Sequence, residues 1–353
     1  MAYTNIDDPA QNFNTVLYTG DGTAIGSGGQ AITGVGFAPD WTWIKERSST
    51  SPHKLLDTVR GATKELESSA SDPEATTAES LATFGSDGFT VGNNGAVNQS
   101  SQTYASWNWK AGGSASSNSD GGITSSVSAN TDAGFSLVSY TGTGSATTVG
   151  HGLGAAPKMF VIKRRDADDS WWTYHTDLGS NDAYLSFHSQ AASSTSGGSG
   201  LFNSTAPTSS VFSIGTNGGV NASSGTYIAL CFAEKKGYSR FFSYEGNGNT
   251  DGSFVYLGFK PAWLMVKPID ASDNWVIFDN KRHNAINSSV SPYFFYANKD
   301  FAETTDTKLL DFVSNGFKVR SSGNTVNRTS TFIGMAFAEQ PFVNSSGVPC
   351  NAR

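Results

Sequence analysis

Five histidines are the side chains of this sequence best suited to bind a metal or to move a proton. They are spread along the chain, at His53, His151, His175, His188 and His283. None belongs to an HExxH motif or to a pair at metal-ligand spacing. The spacing therefore predicts no metal site, no cofactor and no catalytic histidine.

Three other patterns resemble known sites without completing them. Residues 20–29 (GDGTAIGSGG) are glycine-rich like a phosphate loop, but they lack the GK[ST] ending and a following helical pattern. Residues 247–252 match the first half of an EF-hand loop, but Gly258 stands at the twelfth position, where glutamate is needed. Asp168 and Asp169 lie in a predicted turn without a recognisable partner. These incomplete patterns predict that the protein is not an enzyme.

The elements that carry these residues are predicted to be strands. Aromatic residues make up 12% of the 353 residues and charged residues only 15%, and glycine occurs 39 times. This mixture is typical of short strands joined by tight turns. The net charge of −7, without a Lys/Arg stripe, argues against a nucleic-acid partner. The lack of a long apolar run argues against membrane insertion, and Cys231 and Cys350 are expected to be unpaired thiols.

One set of landmarks occurs three times in the same order, which predicts three copies of one module. Each copy opens with a Tyr-x-Gly-x-Gly turn and continues with a strand between a proline and a lysine at constant spacing. The turns begin at Tyr18, Tyr140 and Tyr244, and the strands span residues 39–45, 157–163 and 261–267. The period of about 100 residues is that of a β-sandwich with its own core.

Each copy ends with a Val-Asn pair followed by an apolar strand. The pairs stand at residues 97–98, 220–221 and 326–327, and the closing strands begin near Tyr104, Tyr227 and Phe332. Alternate residues of a strand share one face. Trp41 and Trp43 therefore share a face, and we expect them to pack in a core.

The repeats predict an all-β fold of three tandem β-sandwiches, of a jelly-roll or concanavalin-like kind. The predicted units are an N-terminal arm (1–12), repeat 1 (13–113), a Gly/Ser-rich linker (114–131), repeat 2 (132–236), repeat 3 (237–340) and a C-terminal tail (341–353). The linker is expected to be flexible or to form a long surface loop. Residues 73–84 are expected to form a helix capped by Asp72.

Four aromatic residues lie outside the landmarks shared by the repeats: Trp172, Tyr238, Phe241 and Phe242. Aromatic side chains on rigid loops often contact sugars or proteins. We expect these four to contact a receptor or to pack at an interface between repeats or between chains.

The ordered set of motifs resembles a group of virion proteins from tailed phages of marine bacteria and cyanobacteria. The motifs include IDDPAQNFNTVLYTGDG, GFAPDWTWIKERS, HGLGAAPKMFVIKRRDADDSWWTYHTDLG and FIGMAFAEQPF, and the likeness runs over residues 6–342. Members of that group are tail-fibre or structural proteins whose modules look like concanavalin-type or related sandwiches. The resemblance implies no catalytic residues.

The resemblance implies a virion surface protein, assembled in the host cytoplasm and exposed on the particle. The expected role is a tail-fibre or receptor-binding component. One alternative is a capsid decoration or tail-assembly protein with no host ligand, and another is a polysaccharide depolymerase. Expected partners are other virion proteins, further copies of the chain with a trimer favoured, and a host surface glycan.

Overall fold

The fold consists almost entirely of antiparallel sheets. The computed structural model describes residues 3–282, 293–305 and 309–350. Within these residues the α-helices are four or five residues long. None of them is long and apolar enough to cross a membrane. The predicted all-β, sandwich-like class is confirmed.

The elements follow one another in the same way in each third of the chain. The first third holds β1 (Phe13–Thr19), β2 (Gln30–Thr33), β3 (Trp41–Glu46), β4 (Lys54–Asp57), β5 (Lys64–Glu65), β6 (Ala75–Thr76), β7 (Leu81–Gly85), β8 (Gly88–Val91), α1 (Gly95–Asn98) and β9 (Thr103–Trp109). The second holds β10 (Ser116–Asn118), β11 (Ser125–Asn130), β12 (Phe135–Thr141), β13 (Thr147–Gly150), β14 (Met159–Arg164), β15 (Trp171–His175), β16 (Leu185–Ser186), α2 (Gly198–Phe202), β17 (Val211–Ile214), α3 (Gly218–Asn221) and β18 (Thr226–Phe232). The last holds β19 (Ser239–Glu245), β20 (Phe254–Tyr256), β21 (Phe259–Pro268), β22 (Val276–Asp279), β23 (Tyr293–Tyr296), β24 (Thr304–Thr305), β25 (Leu310–Val313), β26 (Gly316–Val319), α4 (Asn324–Asn327) and β27 (Thr331–Pro341). Three 3-10 turns lie at Pro9–Gln11, Ile25–Ser27 and Thr176–Leu178.

Three main sheets share one strand order, in which the opening strand pairs with the closing strand and the closing strand with the proline-to-lysine strand. The order is β1-β9-β3-β4 in the first sheet. It recurs as β12-β18-β14-β15 within the second and as β19-β27-β21-β22 within the third. A small sheet accompanies each main sheet, with orders β2-β8-β7, β13-β17 and β20-β26-β25. The landmarks found in the sequence therefore occupy equivalent positions.

The Val-Asn pair holds the opening turn of each repeat. In the second repeat, the Asn221 side-chain oxygen accepts from the Thr143 N–H at 2.8 Å. Its amide donates to the Ser145 carbonyl at 2.7 Å. The Tyr140 hydroxyl donates to the Val220 carbonyl. Asn98 and Asn327 likewise accept from backbone N–H groups of the other two opening turns. These buried polar residues are therefore structural.

Each main sheet is covered on both faces by apolar side chains. One face packs against its own small sheet and forms a local core. The other face packs against the other two main sheets in one central core. Trp41 and Trp43 face this central core, whereas Ile44 faces the local one. One face of each main sheet is thus buried by the main sheets of the other repeats.

Seven of the eight tryptophans lie in the central core: Trp41, Trp43, Trp107, Trp109, Trp171, Trp263 and Trp275. Rings from different repeats touch there, as Trp41 does Phe135 with centroids 5.7 Å apart. Trp109 likewise meets Trp263 at 5.6 Å. Burying a side chain of this size stabilises the folded protein by about 2–3 kcal/mol.

Equivalent backbone contacts close the three repeats into a ring of approximate threefold symmetry. The Ser51 N–H of repeat 1 donates to the Asp300 carbonyl of repeat 3 at 2.8 Å. In the sister contacts the Asp169 N–H reaches the Ser71 carbonyl at 3.0 Å, and the Asp273 N–H reaches the Gln190 carbonyl at 2.9 Å. Repeat 1 therefore contacts repeat 3, repeat 3 contacts repeat 2, and repeat 2 contacts repeat 1.

The lysine that ends each proline-to-lysine strand is buried beside these contacts. Lys163 Nζ donates to the Ser71 carbonyl at 2.8 Å, and Lys267 Nζ to the Gln190 carbonyl at 3.3 Å. Lys45 Nζ lies 5.2 Å from the centre of the Phe295 ring. Burial lowers the pKa of each of the three lysines to about 8.

Two sequence-based expectations about single segments are wrong. Residues 114–131 are not a loose linker, because β10 and β11 extend the second main sheet and Ile123 bridges to Val149. Residues 73–84 do not form a helix, since they contribute β6 and most of β7. Glu74 binds arginines of two repeats, and this tertiary pairing outweighs the weak helical preference of the segment.

Candidate binding surface

Three of the four aromatic residues singled out in the sequence are buried inside the chain. Tyr238 and Phe241 lie in the central core, at 1% and 4% exposure, and Phe242 lies in the local core of repeat 3. They cannot contact a receptor on the surface of this structure, so the expectation of a receptor contact is wrong for them. Phe241 packs against Phe232 of repeat 2, with ring centroids 6.1 Å apart, which was the other expectation, whereas the Tyr238 ring contacts Phe337 of its own repeat.

Trp172 is half-buried at the rim of the local core of repeat 2. Its Nε1 donates to the Asp169 carboxylate at 3.0 Å, and its ring meets Tyr184 edge-on with centroids 5.2 Å apart. The side chain is therefore held in place by its own repeat. Its remaining exposed part does not adjoin the cleft described below.

Three histidines serve the fold. His53, His151 and His175 are buried, and in each ring Nδ1 accepts a hydrogen bond while Nε2 lies within 3.3 Å of a carbonyl. The proton of the neutral ring therefore lies on Nε2. Burial lowers all three pKa values, that of His175 to about 4. His283 lies outside the described residues.

The turn that resembles half of an EF-hand is closed by its own hydrogen bonds. Asn247 and Asn249 accept from backbone N–H groups two residues ahead, at 2.9 and 3.0 Å. Asp251 forms an ion pair with Lys318 at 2.7 Å. Among the residues that the structure describes, no group of three or more His, Cys, Asp or Glu side chains could hold a metal ion.

β20 carries two exposed aromatic residues that are not needed to form the strand. Phe254 is 49% exposed and Tyr256 is 53% exposed, while Val255 between them is buried. Strand register places Ala31 and Thr33 at these positions in repeat 1, and Thr148 and Gly150 in repeat 2. The sister strands thus form without aromatic residues there.

The pair borders a cleft of about 450 Å³ between repeats 2 and 3. The polar side chains that line the cleft are Lys158, Thr176, Asp177, Glu234, Arg240 and Ser243. They come from several segments, because the chain before β14 and after β15 and β18 in repeat 2 meets β19 of repeat 3 there. Glu234 accepts from Arg240 at 2.8 Å and from the Phe241 N–H at 3.2 Å. These contacts join the acidic and the basic side chain on this side of the cleft.

The N-terminal arm holds one side of the aromatic pair. The Tyr3 hydroxyl donates to the Gly258 carbonyl at 2.8 Å and lies 3.4 Å from the Tyr256 hydroxyl. The Lys236 ammonium stands 4.4 Å from the centre of the Tyr3 ring. Burial raises the pKa of Tyr3, and its bond to Tyr256 raises it further. Tyr256 is therefore positioned by residues far from it in sequence.

Sequence reasoning missed Phe254 and Tyr256, although a signal was present. The letters GSFVYLG alternate, with one apolar residue between two aromatic ones. Alternation predicts that either Val255 or the aromatic pair faces the core. Comparison with Ile32 and Val149 in the sister strands would have assigned the core position to Val255.

Comparison with known proteins gives a family without a known activity. No curated protein matches the chain significantly. One family model, described as a domain of unknown function (DUF7483), matches residues 8–341. This match spans all three main sheets and the cleft between repeats 2 and 3. The chain therefore belongs to the DUF7483 family.

Proposed function

We propose that this chain is a phage virion surface protein, a tail-fibre or receptor-binding component that acts by binding and assembly. The observation that carries the proposal is the exposed pair Phe254 and Tyr256 beside a polar cleft. Exposed aromatic residues next to convergent polar groups are typical of binding sites. The virion context rests on the resemblance of the ordered motifs to tailed-phage proteins.

The scaffold suits a protein that binds without changing shape. The aromatic pair lies on a strand paired to β26, and the ring of repeats fixes β20 relative to the cleft. A rigid site loses little conformational entropy when a ligand binds. Several copies of the chain on one particle would then convert weak contacts into strong attachment.

Two alternatives remain as proposals of lower rank. A capsid decoration or tail-assembly protein would need no host ligand, and the aromatic pair would then contact another virion protein. A depolymerase would need a protonated acid in the cleft. Asp177 and Glu234 are the carboxyl groups that line the cleft.

A homo-oligomer, with a trimer favoured for a fibre, stays a prediction. It rests on the aromatic residues beyond the shared landmarks, which could pack between chains, and this basis is weakened because most of them are buried within one chain. One chain already supplies a threefold arrangement of main sheets. Sedimentation of the purified protein at micromolar concentration tests the trimer directly.

Replacing both aromatic residues tests the binding role. We expect purified protein to compete with the phage for host cells, and Phe254→Ala with Tyr256→Ala to lower that competition at least tenfold. The melting temperature should change little, because both side chains are exposed. Phe301→Ala is the matched control, since Phe301 is 52% exposed and does not line the cleft.

Particle density and an activity assay separate the alternatives. Density for the chain on the head would contradict a fibre and support decoration. Release of reducing ends from host polysaccharide would contradict a pure binding role. Equal competition by the wild type and the double variant would contradict the proposed site.

A further inference from the structure

We infer that the cleft between repeats 2 and 3 binds an uncharged oligosaccharide, with Phe254 and Tyr256 as its stacking platform. This inference rests on the proposed binding function and names the ligand of that same site. Three features of the cleft support the inference. They are the placement of the two rings, the balance of charged side chains in the lining, and the absence of aromatic residues at the same positions of the sister strands.

The two rings project from the same exposed face of β20. Phe254 and Tyr256 are two residues apart on an extended strand, so their Cβ atoms lie on one face about 7 Å apart. Gly316 is the strand partner of Tyr256 and has no side chain that could cover the phenol ring. A Cβ atom added at Gly316 would come too close to the Val255 carbonyl oxygen, so a residue with a side chain does not fit there. Flat rings of this kind stack on the apolar face of a pyranose.

The charged side chains that line the cleft are balanced in number. Lys158 and Arg240 contribute two positive charges, and Asp177 and Glu234 contribute two negative ones. The lining therefore offers both donors and acceptors but no net attraction for a polyanion. Thr176 and Ser243 add hydroxyl groups. Such a mixture fits a ligand with many hydroxyl groups and no charge.

The sister sites lack this combination. Repeat 1 has Ala31 and Thr33 in place of the aromatic pair, and repeat 2 has Thr148 and Gly150. In repeat 2 the edge of β13 is also covered, because the Ile123 N–H donates to the Thr148 carbonyl at 3.1 Å. The side chains that distinguish repeat 3 are thus aromatic rings, which favours recognition through side chains.

A polypeptide strand is the competing occupant. No strand in the described part of the chain pairs with the outer edge of β20, and the segment at Ile123 shows how such an edge can be covered. Strand addition would use the backbone N–H and C=O groups of Phe254 and Tyr256. A saccharide on the rings would leave these groups exchanging with water. The two occupants can therefore be told apart by amide hydrogen exchange.

The test uses the full chain and neutral oligosaccharides released from the surface polysaccharide of host cells. Saturation-transfer NMR should show contact between sugar protons and the protein, with a Kd that is unchanged between about 50 and 500 mM salt. Phe254→Ala with Tyr256→Ala should weaken binding at least tenfold. Phe301→Ala should leave binding unchanged.

Three results would overturn the inference. The first is no transfer to any released oligosaccharide, and the second is equal binding by the double variant. The third is protection of the Phe254 and Tyr256 amides by a virion or host protein, which would assign the edge to a polypeptide. If the wild type competes for host cells but binds none of these sugars, the proposed function survives and the saccharide inference fails.

Discussion

At the scale of single residues, the chain reuses a small set of polar side chains at equivalent places. Lys45, Lys163 and Lys267 are each fully buried at a contact between repeats. Burying an ammonium group costs free energy, and hydrogen bonds to carbonyls recover part of it. The lowered pKa of about 8 is the sign of that cost.

The stability contributed at Lys163 should depend on pH in a defined window. The folded pKa is about 8 and the unfolded value is 10.5, so the unfolded chain binds more protons between these values. The contribution of Lys163 to the free energy of unfolding should therefore rise as the pH passes 8, and the rise between pH 7 and 9.5 should be about 2 kcal/mol. Urea unfolding of the wild type and Lys163→Met measures the change, because other titrating groups are common to both.

The exposed Lys158 provides the control for this measurement. Lys158→Met is the matched substitution, because it removes a lysine that is exposed in the folded protein. A difference between Lys163→Met and the wild type that does not change with pH would mean that the Lys163 ammonium group is not desolvated in the folded protein.

At the scale of elements, the three contacts between repeats share equivalent backbone hydrogen bonds but differ in their charged side chains. Glu74 of repeat 1 binds Arg60 at 3.2 Å and Arg165 of repeat 2 at 2.9 Å. Glu303 of repeat 3 binds Arg282 at 3.0 Å and Arg47 of repeat 1 at 2.8 Å. The contact of repeat 3 with repeat 2 has Ser193 in the equivalent place, where its N–H and hydroxyl donate to the Ile269 carbonyl.

Glu74→Ala should therefore destabilise the protein more than Ser193→Ala. The Glu74 carboxylate is 9% exposed, and its loss leaves Arg60 and Arg165 without this partner. We expect the free energy of unfolding to fall by about 3 kcal/mol for Glu74→Ala and by about 1 kcal/mol for Ser193→Ala. Equal losses in chemical denaturation would show that the charges add nothing to the contact.

Acid should weaken the same contact through Glu74. Burial would raise the pKa of Glu74, but its bonds to Arg165 and Arg60 hold the pKa below its usual value. The stabilisation from Glu74 is present above its unfolded pKa and is lost as the pH falls through the folded value. Glu74→Ala should therefore flatten the acid side of the stability curve.

At the scale of the whole molecule, the central core makes the repeats interdependent. Trp109 of repeat 1 touches Trp263 and Phe337 of repeat 3, each with ring centroids 5.6 Å apart. A repeat removed from the chain would expose the central-core face of its main sheet. We therefore expect the chain to unfold as one cooperative unit.

Calorimetry checks this cooperativity. The wild type should show one transition, with equal calorimetric and van't Hoff enthalpies. Trp109→Ala should cost about 3–5 kcal/mol and shift the whole transition. Trp172→Ala, at the rim of one local core, should cost less, at about 1–2 kcal/mol. Separate transitions for the repeats would contradict a shared core.

The sequence by itself determined the strands and their triplicate order, because alternation and turn residues are local properties. It predicted the proline-to-lysine strands that became β3, β14 and β21, and it placed their tryptophans in a core. It failed for residues 73–84, where strand pairing with β5 and β8 and the ion pair of Glu74 with Arg165 outweighed a weak helical preference. It also failed for residues 114–131, which form a hairpin that joins the sheet of β12. The division into three separate domains stays a prediction.

Only the tertiary structure decided which neighbour covers each face of a strand. Every residue of β3 is buried, but burial against a local sheet and burial against another repeat leave the same pattern in sequence. Tyr238 and Phe241 became core residues for this reason, while Phe254 and Tyr256 became surface residues. The candidate cleft exists because the ends of β18 and β19 and the strand β20 meet there, and that meeting depends on contacts between residues far apart in the chain.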